Sequence, residues 1–157
     1  MTVSNQSTAD FRPVRLEGHG TVNVDAGSTV DMNTVLAGLH VNVAKGGYLL
    51  LQSQNPQVAP SFQGTINEAA GGTVLLYGAQ SAVREIFHTA TGTLDLLNKV
   101  GTQIASLQFA PGSREYTEIG LAPGGPANNQ FAVITTVPTL YGQPAPASVA
   151  LPTIFTH

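Results

Sequence analysis

Cysteine is absent from this sequence of 157 residues. Disulfide frameworks, cysteine-based zinc sites and thiol catalysis are therefore excluded. Tryptophan is absent too, and only four Tyr and six Phe are present. That is little material for a stacking platform under sugar rings or bases. Charge is also scarce. Asp, Glu, Lys and Arg make up 10% of the chain, where about 25% is usual. So few charges cannot clothe many solvated helix faces, which disfavours helical bundles and coiled coils. Six basic residues against nine acidic ones leave a net charge of −3, the wrong sign for a nucleic-acid binder. No run reaches the roughly 18 apolar residues of a membrane-spanning helix. The opening stretch, Met1 to Asp10, has neither a basic start nor an apolar run, so no secretory signal peptide is expected there.

The sequence does contain an internal repeat. Thr21-Val22-Asn23-Val24-Asp25-Ala26-Gly27-Ser28-Thr29-Val30-Asp31-Met32 is one copy. His40 to Leu51 is a second and Thr65 to Leu76 a third, at offsets of 19 and 25 residues. Every copy has a β-branched residue at its second position, Asn at its third, Gly at its seventh and Val or Leu at its tenth. Val22 and Val24 alternate with polar neighbours, the period of a half-buried strand. Asp25-Ala26-Gly27-Ser28 interrupts that strand, and Gly27 can adopt the positive φ of a tight turn. Thr29 to Met32 then alternates again. A strand–turn–strand unit of this size cannot bury its apolar face alone and must stack on neighbours. Units spaced by 20–30 residues predict an all-β parallel β-solenoid (β-helix). The alternative is an antiparallel β-sandwich, in which each copy is a hairpin.

The rest of the chain divides around this repeat. Residues 1–10 are expected to be flexible, and 11–137 to form a single β-rich repeat domain. Phe11 to Leu16 is a first strand or cap. Val83, Ile86 and Phe87 fit one amphipathic helical turn within Ser81 to His88. Thr93 to Leu96, Gln103 to Phe109, Tyr116 to Ile119 and Phe131 to Val137 read as strands, with Pro111-Gly112 as a turn. Residues 138–157 form an extended Pro-rich tail, because Pro144, Pro146 and Pro152 preclude a helix. Its apolar residues Val149, Leu151, Ile154 and Phe155 predict either packing on its own domain or a contact between subunits.

The segment Thr-Val-x-Val-x-x-Gly-Ser-Thr-Val at 21–30 resembles repeats of large bacterial surface proteins. These are the passenger regions of autotransporters and haemagglutinin-like adhesins. Ser61-Phe62-Gln63-Gly64-Thr65-Ile66, Gly71-Gly72-Thr73-Val74-Leu75-Leu76 and Thr91-Gly92-Thr93-Leu94-Asp95-Leu96 are similar to the same repertoire. The resemblance covers roughly Gly18 to Phe109. It implies a right-handed parallel β-helix at or outside the cell surface.

Candidate chemistry is thin. His19, His40, His88 and His157 are scattered, with no pair at the i, i+4 spacing of a helical metal site. No metal or other cofactor is expected. No Ser sits in a Gly-x-Ser-x-Gly elbow. Asp25, Asp31 and Glu68 are the only acids in the repeats, and Leu50 and Leu75 stand where a carboxylate ladder would need acids. Arg84-Glu85, Arg114, Glu115 and Glu118 read as charges that discourage edge pairing. Asn23, Asn42 and Asn67 share one repeat position and predict an asparagine ladder across stacked strands. Tyr48 and Tyr77 are the aromatic candidates for a ligand face. These features predict a structural, self-associating extracellular or cell-surface protein, a fibre, matrix or adhesin module, and not an enzyme. The expected partner is a second copy, as a homo-oligomer or filament. The alternatives are a polysaccharide-binding module and, last, a polysaccharide-cleaving β-helix enzyme.

Overall fold

A computed structural model describes residues 1–35, 37–52, 62–69, 71–77, 82, 84–88, 90–110, 119–123 and 130–135, with backbone alone at 12–15, 34–35, 77, 119–123 and 130–135. The described chain is all-β and contains no helix. Its strands are β1 (Thr2–Val3), β2 (Thr8–Leu16), β3 (Gly20–Val24), β4 (Thr29–Val35), β5 (Leu39–Val43), β6 (Tyr48–Leu51), β7 (Thr65–Glu68) and β8 (Thr73–Tyr77). They are followed by β9 (Arg84–His88), β10 (Thr93–Leu97), β11 (Gln103–Phe109), β12 (Ile119–Pro123) and β13 (Gln130–Thr135).

These strands make two sheets. The first has the order β1-β3-β5-β7-β11-β10-β9, the second β12-β13-β8-β6-β4-β2. From β1 to β8 the chain therefore alternates between sheets, one strand in each. Every pairing among these eight strands is parallel. The two strands of a repeat copy thus lie in different sheets and do not form a hairpin. Antiparallel pairing, the alternative expectation, holds for β9-β10-β11 and for β12-β13-β8.

The register follows the repeat. Val22, Val41 and Ile66 are opposed in turn, as are Val30, Leu49 and Val74. Alternation sends these rows inward, where they join Val24, Val43, Met32, Leu51, Leu76, Leu94, Leu96, Leu107 and Phe109 in one core. Phe87 meets Phe109 edge-on, with ring centroids 6.5 Å apart, a favoured aromatic geometry. The second sheet is covered on its other face as well. Leu50 and Leu75 point away from Leu49 and Leu51, yet both are fully buried, and Thr29 and Thr73 on the same face are buried as well. Burial on both faces is usual for parallel sheets.

Tight turns join the sheets. Ser28 N donates to Asp25 O, Gly47 N to Ala44 O and Gly72 N to Ala69 O. Gly27, Gly46 and Gly71 hold φ of 75°, 76° and 87° at equivalent places. The turns also bond to one another, since Gly27 N donates to Gly46 O and Gly46 N to Gly71 O.

Two expectations need correction. Residues 1–10, where the sequence offered no element, hold β1 and the start of β2. Thr2 and Val3 pair in register with Asn23 and Val24, and Thr8 to Phe11 with Thr29 to Met32. Ser4-Asn5-Gln6-Ser7 makes the intervening turn, with Ser7 N donating to Ser4 O at 3.3 Å. The N-terminus is therefore a further strand–turn–strand tier, 21 residues ahead of the first recognised copy. Its edge pairing supplies the order that terminal segments otherwise lack. The helical turn near Ile86 and Phe87 is also absent. Arg84–His88 is a strand antiparallel to β10. Phe87 packs on the core while Ile86 is exposed, a period of two rather than 3.6. Tyr116 to Glu118 and the tail 138–157 lie outside the described residues.

Candidate functional site

The outer face of the first sheet is polar and continuous. Asn23, Asn42 and Asn67 occupy opposed positions on β3, β5 and β7. Asn42 Nδ2 donates to Asn23 Oδ1 at 2.7 Å, and Asn67 Nδ2 to Asn42 Oδ1 at 3.2 Å. Asn23 Nδ2 in turn donates to Thr2 Oγ1 on β1 at 3.3 Å. The amide row thus runs in one direction and ends on the hydroxyl of the outermost strand. Asn23 and Asn42 each donate and accept within the row, as strands spaced by about 4.8 Å allow.

A second polar row lies beside it. Thr21, His40, Thr65, Gln108, Thr93 and His88 are opposed in sequence across β3, β5, β7, β11, β10 and β9. Thr93 Oγ1 donates to Gln108 Oε1 at 3.2 Å. Further along the same face, His88 Nε2 lies 3.0 Å from Asp95 Oδ2, and Ser106 Oγ donates to Asp95 Oδ1 at 2.7 Å. The carboxylate stands between the hydroxyl and the imidazole. A Ser nucleophile needs the imidazole itself as its base, so this trio lacks that arrangement.

The two tyrosines do not share a row. Tyr48 is opposed to Thr29 and Thr73 on the second sheet, and is half-buried. Tyr77 is four residues further along β8 than Thr73, about 13 Å at strand rise, and its side chain lies outside the described residues. The tail residues Val149, Leu151, Ile154 and Phe155 also lie outside them.

The acids are dispersed between the two sheets. Asp31 is buried on the outer face of the second sheet, opposed to Asp10 on one side and Leu50 on the other. Gln52 Nε2 donates to its Oδ2. Glu68 stands in the inward row of Val24 and Val43 and is buried. Among the described residues, no three His, Asp or Glu side chains converge as a metal site would require, and no helix is long and apolar enough to cross a membrane.

Sequence reasoning missed the N-terminal edge. Thr2–Val3 and Thr8–Leu16 end their respective sheets. At the other end of the parallel stack, β11 covers β7 and β13 covers β8. The available signal was the identity of Val3, Thr8 and Asp10 with Val24, Thr29 and Asp31 at an offset of 21 residues. Comparison with protein-family models, curated proteins and solved structures finds no match.

Proposed function

We propose that the chain is a structural, self-associating β-solenoid, an extracellular or cell-surface module of the fibre, matrix or adhesin kind, without catalytic activity. The observation that carries this reading is the tiered stack, with its amide row, ending among the described residues in the edge strands β1 and β2. A stack of tiers presents main-chain donors and acceptors at its end, and another copy can satisfy them. The scarcity of charge, 10% of residues, lowers the repulsion that would oppose such association. The uncharged tail, with Val149, Leu151, Ile154 and Phe155, is a second candidate contact between subunits. Negative-stain electron microscopy over a concentration series, with light scattering on the same samples, tests the reading. Discrete oligomers or filaments support it, and a monodisperse monomer at every concentration contradicts it.

The polar outer face of the first sheet favours a second reading, polysaccharide binding. Hydroxyls, amides and an imidazole in two adjacent rows match the hydrogen-bonding surface of a glycan chain. This reading rests on the rows containing Asn42 and His40 rather than on Tyr48 and Tyr77. Pull-down on insoluble polysaccharides, with silence across a glycan array, would remove it.

A further inference from the structure

We infer that an uncharged polysaccharide chain lies across β3, β5 and β7, in the trough between the row Thr21, His40, Thr65 and the row Asn23, Asn42, Asn67. This rests on the polysaccharide reading above, and names the ligand class and its seat.

The trough follows from the pleat. Residues two apart on a strand share a face, so the rows run side by side about 7 Å apart. Val22, Val41 and Ile66 stand between them with their side chains in the core, so backbone forms the floor. Strands about 4.8 Å apart make the trough about 10 Å long over three strands. The parallel register keeps both rows in line across it.

Unspent hydrogen-bonding groups delimit the site. Among the described residues, the side chains of Thr21, His40 and Thr65 have no hydrogen-bond partner. Thr21 and His40 are exposed and Thr65 is partly so. Each amide of the other row spends one N–H on the neighbouring tier, and a carboxamide has two. Beyond β7 the face is already engaged. Thr93 Oγ1 donates to Gln108 Oε1, and Gln108 Nε2 donates to Thr91 O and Phe109 O. His88 is held by Asp95. The amide row stops at Asn67, because β11 pairs with β7 only through Gln108 and Phe109. The free groups therefore span three strands.

Their chemistry selects the occupant. Hydroxyls donate and accept, the amides keep a donor, and a neutral imidazole offers one of each. A polyol presents the same mixture. Neither row contains Lys or Arg, so a polyanion finds no counter-charge there. The amide row holds its own side chains in place, which lowers the ordering cost of binding. No aromatic ring stands in either row, so stacking adds nothing. Short oligosaccharides are held weakly, and a polymer gains from the high local concentration of its repeated segments.

Native electrophoresis of the full chain tests the site, in gels containing hydroxyethyl cellulose, galactomannan, dextran or polygalacturonate. Retardation is expected from at least one of the three uncharged polymers and not from polygalacturonate. His40→Ala and Thr65→Val each remove a side-chain group that the fold does not use, and should leave circular dichroism unchanged. Each should weaken binding about fivefold, read from mobility against polymer concentration. Val100→Ala, on the β10–β11 hairpin, should leave it unchanged. Retardation indifferent to His40→Ala and Thr65→Val overturns the trough but leaves polysaccharide binding standing. Retardation by polygalacturonate alone overturns the uncharged class. No retardation by any of the four overturns both the trough and the reading it rests on.

Discussion

Gln6 holds the same left-handed turn position as Gly27 one tier later, with φ of 59° against 75°. The two are stacked so closely that a Cβ on Gly27 would fall 3.1 Å from Gln6 Cγ. A side chain in this backbone region costs about 1–2 kcal/mol relative to glycine's freedom there. Gln6→Gly should therefore stabilise the chain by about 1 kcal/mol, less glycine's own entropic cost. Urea unfolding, read as a higher midpoint at unchanged slope, checks it.

The second turn gives a paired prediction. A Cβ at Gly46 would meet only Ala26 Cβ at 3.9 Å, whereas one at Gly47 would lie 2.8 Å from Val24 O. Gly46→Ala should cost about 1 kcal/mol, from its positive φ alone. Gly47→Ala forces backbone apart and should cost about 3 kcal/mol or more. Equal losses would contradict the tight stacking of the turns.

Asn42 is the middle of the amide row and Asn67 its end. Asn42→Ala removes one bond to Asn23 and one from Asn67, and should cost about 2 kcal/mol at roughly 1 kcal/mol per bond. Asn67→Ala removes only the bond to Asn42 of these and should cost about half as much. The double variant should lose less than the sum, because both remove the same bond.

Leu50 faces away from the core shared by the two sheets, yet it is as buried as Leu49. Leu50→Ala should then cost about 2–5 kcal/mol, as for a core leucine, rather than the few tenths of a surface change. Thermal unfolding of Leu49→Ala and Leu50→Ala side by side tests whether that face is covered.

The hairpin between β10 and β11 separates a structural residue from an idle one. Asn98 Oδ1 accepts from Val100 N at 3.1 Å and Thr102 N at 2.9 Å, while Val100 itself is 84% exposed. Asn98→Ala should cost about 1–2 kcal/mol. Val100→Ala should stay within about 0.5 kcal/mol. Chemical denaturation of the two variants distinguishes them.

The repeat was legible in the sequence because Asn, Gly and the β-branched residues each answer to a local requirement. Asn23, Asn42 and Asn67 recur because stacked amides need the same side chain at the same place. Gly27, Gly46 and Gly71 recur because the turn needs positive φ. The first tier was not legible because it departs at both signals. Thr2 stands at the Asn position, where it only accepts, and Gln6 stands at the Gly position. The strand at Ile86 and Phe87 was misread because four or five residues cannot separate a period of two from one of 3.6. The pairing of Asp95 with His88 and Ser106 was invisible for another reason. It depends on antiparallel partners that only the folded sheet brings together.

The central claim is that residues 2–11 form a tier paired in parallel register on the next one. Amide hydrogen exchange at single-residue resolution, in dilute solution, tests it directly. Ala9 and Phe11 amides, which face β4, should exchange slowly, and the Thr8 amide faster. Uniformly rapid exchange across Thr8 to Phe11 at every concentration would show that the first tier does not form, and would contradict the account.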